Sequence, residues 1–141
     1  MGARKHNTAE QNKEAKKTLY FAKLNDCPSS PRKMRLVAEL IRGKNVELAL
    51  SILQHTPNYA AEKLFKLLKS AIANWQQKNE GVRMEDSHLF VKEVMVDEGR
   101  MLKRVQPAPQ GRAHRVRKRS NHVTVIIDSR VQQEETKVVT K

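Results

Sequence analysis

Residues 99–122 read GRMLKRVQPAPQGRAHRVRKRSNH, and this stretch decides the fold. At its centre, residues 106–111 contain two prolines and a glycine, which favour a turn and disfavour a helix. The residues on either side of this turn predict two extended arms. The arms carry eight basic side chains and no acidic one: Arg100, Lys103, Arg104, Arg112, Arg115, Arg117, Lys118 and Arg119.

The segments that flank this stretch predict that it is a β-hairpin. Residues 88–97 (HLFVKEVMVD) have the apolar alternation of a strand, and a change of phase near Lys92-Glu93 predicts a bulge or an edge. Val123, Val125 and Ile127 alternate with other residues in a matching strand at the end of the return arm. At about 3.3 Å per residue, each arm would project on the order of 25–30 Å from Gly99.

The arms have no face that could pack on a protein core. Because successive strand residues point to opposite faces, Arg115, Arg117 and Arg119 share one face of the return arm. The other face holds His114, Val116 and Lys118. An isolated, like-charged ribbon is marginal in water, and phosphate groups would supply the missing counter-charge.

The charge distribution singles out the same segment. The chain has 28 Lys and Arg against 15 Asp and Glu, a formal net charge of +13. Residues 99–127 have a net charge of +8, whereas residues 1–18, 19–98 and 128–141 have +3, +2 and 0. An excess of this size predicts a polyanionic partner, which is usually nucleic acid and less often a membrane surface.

Three helices are predicted between residue 30 and the hairpin. Ser30-Pro31 predicts the start of the first helix, and Gly43 predicts its end. Asn45 is the predicted cap of the second helix, and Thr56-Pro57 predicts the start of the third. Trp75 lies on the apolar stripe of the third helix and is predicted to be a core residue.

The sequence therefore predicts an α+β fold, in which three helices pack on one face of a small antiparallel sheet and a long basic β-hairpin protrudes. The first strand is predicted over residues 19–24, followed by a turn over residues 25–28. We expect a single domain over residues 19–128, which includes the hairpin at 99–122. Residues 1–18 are expected to form a flexible basic extension, and residues 129–141 a flexible tail.

Several classes of protein are excluded by what the sequence lacks. No apolar run approaches the roughly 18 residues of a membrane span, and the N-terminus lacks the apolar stretch of a secretory signal. A lone Cys27 fits a reducing compartment, so we expect a cytoplasmic protein. The five histidines have no metal-ligand spacing, and Asp97 and Glu98 should point to opposite faces of a strand. We therefore expect no enzyme, no metal and no cofactor.

Six blocks of the sequence, in order, resemble the family of large-subunit ribosomal protein twenty-two. The resemblance extends over about residues 20–128. The blocks are residues 30–44 (SPRKMRLVAELIRGK), 70–74 (SAIAN), 96–99 (VDEG), 102–104 (LKR), 111–113 (GRA) and 118–125 (KRSNHVTV).

This resemblance implies a body on the outer surface of the large ribosomal subunit and a hairpin that crosses the ribosomal RNA to the peptide exit tunnel, where macrolide antibiotics act. The implied partners are large-subunit ribosomal RNA, neighbouring ribosomal proteins and the nascent polypeptide. The resemblance implies neither membrane binding nor a homo-oligomer. It also implies a role in the assembly of the subunit. Residues expected to bind RNA are Arg32, Lys33, Arg35, Arg42, Lys44, Arg100, Lys103, Arg104, Arg112, Arg115, Arg117, Lys118 and Arg119. Residues expected to line the tunnel are Gln106, Pro107, Ala108, Pro109, Gln110, Gly111 and Arg112.

The tip of the hairpin differs from that of related proteins. Related proteins usually have Arg or Lys within the tip, whereas residues 106–110 of this chain read QPAPQ. Arg112 is the nearest positive charge. We therefore expect the tip to act through its shape more than through its charge.

An alternative interpretation is an architectural DNA-binding protein that grips duplex DNA with a basic β-ribbon and a proline at its tip. It explains the arms but not the basic first helix over residues 31–42. Such proteins are dimers with two arms, so the oligomeric state distinguishes the two interpretations.

Overall fold

A three-stranded antiparallel sheet organises the protein, and its central strand is the last in sequence. The computed structural model describes residues 3–79, 82 and 87–130. The elements are α1 (Ala3–Thr18), β1 (Tyr20–Cys27), α2 (Pro31–Ile41), α3 (Val46–His55), α4 (Tyr59–Lys78), β2 (Leu89–Ala108) and β3 (Arg112–Ser129). The strand order is β1-β3-β2. The predicted α+β class is therefore confirmed.

The core lies between one face of the sheet and helices α2, α3 and α4. Val123, Val125 and Ile127 of β3 are buried at this face, as their alternation predicts. Trp75 of α4 is buried in the same cluster, and its ring meets the ring of Tyr20 edge-on at a centroid distance of 6.4 Å. The prediction that Trp75 is a core residue is confirmed.

The first predicted helix has the expected bounds. The backbone carbonyl of Ser30 accepts hydrogen bonds from the amides of Lys33 (3.0 Å) and Met34 (3.1 Å), and Pro31 occupies the first turn. Past the end of α2, Gly43 has a φ of 73°, a conformation that glycine adopts without steric strain. The buried apolar stripe of α2 then faces the sheet.

The predicted start of the third helix is two residues too early, because the cap of α4 is Asn58. Thr56 instead closes the preceding helix: its amide and its hydroxyl both donate to the carbonyl of Ile52, at 3.1 Å and 2.7 Å. A hydroxyl residue followed by proline marks a helix boundary both at Ser30 and at Thr56. Only the structure shows whether the helix at this boundary begins or ends there.

No helix is expected from the sequence before residue 30, yet Ala3–Thr18 forms α1. This helix has no buried residue and no apolar face, so the periodicity that predicts the other helices is absent. Its Ala, Lys, Glu and Gln residues nevertheless have high helix propensity. The described part of the chain thus has three helices on the sheet, as predicted, and one further helix outside it.

The turn predicted at residues 25–28 is wrong for its first three residues, since β1 continues to Cys27. The pairing with β3 shifts between Leu24 and Cys27, and Asp26 has a φ of 51°. The Asp26 amide donates to Nδ1 of His122 at 3.1 Å. The turn-forming residues Asn25 and Asp26 therefore make a bulge within a strand instead of ending it.

The bulge predicted near Lys92-Glu93 is confirmed, because the pairing of β2 with β3 shifts between Val91 and Glu93. At the end of β3, the buried Ser129 donates its hydroxyl to the carbonyl of Ser87 at 2.6 Å. The tail predicted from residue 129 therefore begins inside a strand. Residues 131–141 of this tail and residues 1–2 of the predicted extension lie outside the described part of the chain. No helix among the described residues is long and apolar enough to cross a membrane.

Candidate nucleic-acid interface

Beyond the body, β2 and β3 continue as a two-stranded ribbon. The ribbon begins with the pair Met101↔Arg119 and ends with the pair Ala108↔Arg112. Eight consecutive pairs at about 3.4 Å per residue give a length on the order of 25 Å. The predicted reach of the hairpin therefore agrees with the paired strands.

A second bulge marks the point where the ribbon leaves the body. The pairing shifts between Glu98 and Met101. Gly99 lies in this bulge, and a Cβ atom at that position would be 2.7 Å from Oγ of Ser120. Ser120 in turn donates its hydroxyl to the carbonyl of Arg100. Only glycine fits this close crossing of the two strands without a shift.

The side chain of Asn121 fixes the base of the ribbon to the body. It is fully buried, and Nδ2 donates to the carbonyl and to Oγ of Ser29, both at 2.8 Å. Asn121 also pairs with Cys27 on one side and with Glu98 on the other. It therefore ties β3 to the turn after β1 where three strands become two.

The strand register distributes the ribbon's cations over both faces. One face carries the pairs Met101↔Arg119, Lys103↔Arg117 and Val105↔Arg115, so Arg115, Arg117 and Arg119 share a face as predicted. The opposite face carries Arg104, Arg112, His114, Val116 and Lys118. Both faces can therefore meet phosphate groups.

The register also limits repulsion along the ribbon. Lys103 and Arg117 are the one pair of cations that face each other directly. The other cations lie opposite uncharged residues: Val105, for example, faces Arg115 and is 71% exposed. Like charges directly opposite destabilise a sheet by up to about 1 kcal/mol per pair, so this offset favours the hairpin.

The turn at the tip is shorter than predicted. Residues 106–108 continue β2, and only residues 109–111 form the turn, in which Gln110 and Gly111 have φ angles of 63° and 68°. Pro107 is compatible with a strand here because both strands of a two-stranded ribbon are edges. The predicted turn is too long because proline favours a turn at both of its positions in the sequence, whereas only Pro109 lies in the turn.

The basic residues of α2 lie along the same strand, nearer the body. Arg35 donates to the carbonyl of Val96 at 3.0 Å, and Arg42 donates to the carbonyl of Val94 at 3.2 Å and pairs with Glu39. These guanidinium groups therefore satisfy the free edge of β2 and keep further N–H donors for a ligand. Sequence reasoning assigned Arg35 and Arg42 to RNA alone and missed this structural role.

The remaining basic residues predicted near α2 are less constrained. Arg32, Lys33 and Lys44 are exposed. The carbonyl of Lys44 accepts from the amide of Val91 at 2.9 Å, so its backbone closes the edge of β2 while its side chain points outward. Arg35, Arg42 and Lys44 thus contact β2, the strand that continues into the ribbon.

The two acidic residues at the base of the ribbon lie in different surroundings. Asp97 lines the open face of the sheet, whereas Glu98 lies 3.7 Å from the guanidinium of Arg119. Within residues 3–79, 82 and 87–130, no group of three or more His, Cys, Asp or Glu side chains could hold a metal ion. What the described part of the ribbon presents to solvent is a set of exposed cations.

Comparison with known proteins identifies the family. The model of the family described as ribosomal protein L22p/L17e matches residues 22–128. The large ribosomal subunit protein uL22 of Christiangramia forsetii is 64% identical over 127 residues, which are 90% of this chain and 94% of that protein. The protein of the same name from Bacteroides fragilis is 57% identical over 135 residues, which are 96% of this chain and 98% of that protein. The chain therefore belongs to the ribosomal protein L22p/L17e family.

Proposed function

We propose that the chain is a structural constituent of the large ribosomal subunit that binds large-subunit ribosomal RNA through its ribbon and assists assembly of the subunit. The observation that carries this proposal is a paired two-stranded ribbon within residues 99–127, a segment that has eight cations and no acidic side chain. The relatives are named as proteins of the large ribosomal subunit, which supports this role and a location in the cytoplasmic ribosome.

Most cations of the ribbon have no acidic partner among the described residues. Among the described residues, Glu98 is the acidic partner of the ribbon, and it meets Arg119 alone, at 3.7 Å. The other cations of the ribbon are exposed, and no apolar face packs the ribbon on the body. Phosphates that neutralise these cations release counterions, which favours binding and makes it depend steeply on salt.

The test compares two double variants in their binding to a transcript of large-subunit ribosomal RNA. Arg115→Ala with Arg117→Ala removes two cations from one face of the ribbon. Lys63→Ala with Lys69→Ala is the control, because it removes the same charge from α4. The ribbon variant should lower the slope of log affinity against log salt by about 1.4–1.8, and the control should lower it far less. Equal slopes would contradict the proposal.

The ribbon should also become ordered when RNA binds. Its backbone amides at residues 100–119 are supported by two-stranded pairing alone, whereas α4 is packed in the core. In hydrogen exchange, we expect the ribbon amides of the free protein to exchange rapidly and to be protected in the complex. Strong protection of the ribbon without RNA would argue against this mechanism.

We further propose that residues 106–112 line the peptide exit tunnel and meet the nascent polypeptide. The tip carries no charge from residue 106 to residue 111, and its three-residue turn presents a narrow end. Because these residues add little phosphate affinity, deleting residues 107–110 should leave incorporation into subunits nearly unchanged. Purified ribosomes with the deletion should bind macrolides differently or stall differently on particular nascent chains. Unchanged drug binding and stalling would exclude a tip that lines the tunnel.

Neighbouring ribosomal proteins are the third class of partner that we propose. Leu36, Leu40 and Leu48 are large apolar side chains exposed on α2 and α3, where a neighbouring protein could cover them. We expect the free protein to be a monomer, in contrast to the dimeric DNA-binding alternative. Sedimentation equilibrium of the free chain separates the two: a stable dimer would favour the DNA-binding alternative.

A further inference from the structure

Helix α1 lies outside the segment that the family model matches, and its side chains have no packing role in the body. None of its residues is buried. A helix that is polar on all sides needs a partner or many internal ion pairs to be stable. Within the described residues it has one such pair, His6 with Glu10 at 3.5 Å. The helix is therefore available for a ligand.

Four of the five cations of α1 are concentrated on one side, and Arg4 lies outside this group. At about 3.6 residues per turn, Lys5, Lys13, Lys16 and Lys17 fall within about one third of the helix circumference. In the described part of the chain, none of these four ammonium groups has an acidic partner. Along the axis, this lysine stripe extends over roughly 18 Å at about 1.5 Å per residue.

The direction of α1 is fixed by Lys78 of α4. Its ammonium group donates to the carbonyls of Lys17 (3.0 Å) and Leu19 (2.9 Å) and lies 5.3 Å from the centre of the Tyr20 ring. A cation at this position also satisfies carbonyls at the C-terminal end of the helix. The lysine stripe is therefore attached to the body through α4 and the start of β1.

The stripe leads onto the face of the sheet that the helices leave open. Lys16 and Lys23 line a hollow of about 330 Å³ there, together with Phe21, Met95, Thr124 and one carboxylate, that of Asp97. Lys23 adds a further cation at the rim next to α1. This surface lies on the face opposite the helical layer and does not include the ribbon.

We propose that the lysine stripe of α1, with Lys23, is a second RNA-binding surface that holds phosphates independently of the ribbon. This inference rests on the proposed function, since it assumes that the chain binds large-subunit ribosomal RNA. The chemistry selects RNA over a protein partner because α1 has no apolar face for a protein to bury, and its five Lys and Arg side chains outnumber its two Glu side chains.

The experiment measures binding of the full chain to a transcript of large-subunit ribosomal RNA as a function of salt. Lys13→Gln with Lys16→Gln removes two charges from the stripe, and glutamine preserves helix propensity. The control is Lys63→Gln with Lys69→Gln on α4, which makes the same substitutions on another helix. Circular dichroism verifies that each variant retains its helices.

We expect the stripe variant to bind on the order of tenfold more weakly at 0.15 M salt, with a salt slope lower by about 1.4–1.8. The control should change affinity by less than about twofold. Because the two surfaces would act independently, the losses caused by the stripe variant and by Arg115→Ala with Arg117→Ala should multiply when combined. The amides of α1 should also exchange more slowly in the complex than in the free protein.

Three outcomes would overturn the proposal. If the stripe variant and its control bind alike while the ribbon variant binds weakly, α1 does not contact RNA and the proposed function stands. If α1 amides are protected only by another ribosomal protein, the partner is a protein. If the ribbon variant and the stripe variant both bind like the unmodified chain, the proposed function fails as well.

Discussion

Replacing Asn121 with alanine tests how the hairpin is held. The substitution removes both hydrogen bonds from Nδ2 to Ser29, each 2.8 Å long, at a side chain that is fully buried. Each bond contributes about 1 kcal/mol. The small cavity left behind costs on the order of 1 kcal/mol more. Removing Oδ1, which is buried without a partner among the described residues, returns about 1 kcal/mol.

The expected loss in the free energy of unfolding is therefore about 2 kcal/mol, which corresponds to a decrease in Tm of roughly 6–10 °C. Urea denaturation followed by circular dichroism measures the loss directly. Ser29→Ala, which removes one of the two acceptors, should cost about 1 kcal/mol. In the Asn121→Ala background it should cost almost nothing, since the bond it removes is already absent.

The matched control is Asn12→Ala on α1, where the asparagine is exposed and the change should stay within about 0.5 kcal/mol. If Asn121→Ala is no more destabilising than this control, the buried amide does not hold the base of the ribbon. Fully additive effects of Asn121→Ala and Ser29→Ala would likewise refute the role of the two bonds.

Three further perturbations test the structure. Gly99→Ala should lower stability by about 1–3 kcal/mol in urea denaturation, because the new Cβ would lie 2.7 Å from Oγ of Ser120. In a Ser120→Ala background part of that loss should disappear, since the new Cβ would still lie 3.1 Å from Nε2 of His122 and 3.2 Å from the backbone carbonyl carbon of residue 120. Gln110→Gly should stabilise the ribbon, because φ at this position is 63° and a left-handed conformation costs a residue with a side chain roughly 1–2 kcal/mol. Hydrogen exchange of the ribbon amides should therefore become slower. Faster exchange would contradict this prediction. The hydrogen bond with Asp128 raises the pKa of Lys92 above its ordinary value of 10.5. The contribution of this pair to the free energy of unfolding is therefore complete below pH 10.5 and is lost as the pH rises through the raised pKa. Because the pair is partly exposed, Lys92→Met should cost less than about 1 kcal/mol at pH 8 and progressively less above pH 10.5; a cost that grows with pH would have the wrong sign.

The local elements of the body could be predicted because their signals repeat within a few residues. The apolar spacing of α2 and α4 and the alternation of β3 follow the periods of 3.6 and 2 that packing on one core face imposes. The phase change at Lys92-Glu93 reveals a bulge for the same reason. The charge of the ribbon is likewise a property of composition, so the class of partner could be inferred before the fold was known.

Local signals were less reliable where one residue type serves two structures. Asn25 and Asp26 have turn chemistry, but pairing with β3 on one side keeps them in a bulged strand. Pro107 favours a turn, yet it remains in β2 because the ribbon has two free edges. Helix α1 has propensity without periodicity, so its sequence gave no sign of a helix that packs on a core.

The sequence by itself determined the three helices of the body, its two long strands and the basic arms, and it predicted a polyanionic partner, since each depends on neighbours along the chain. The tertiary structure decided the strand order β1-β3-β2, the offset of cations across the ribbon, and the attachment of Arg35 and Arg42 to the edge of β2. It also decided that Asn121 is a buried anchor and not a surface polar residue. The physical reason is that register and burial depend on which distant residues meet, and a shift of one residue would exchange the two faces of every strand.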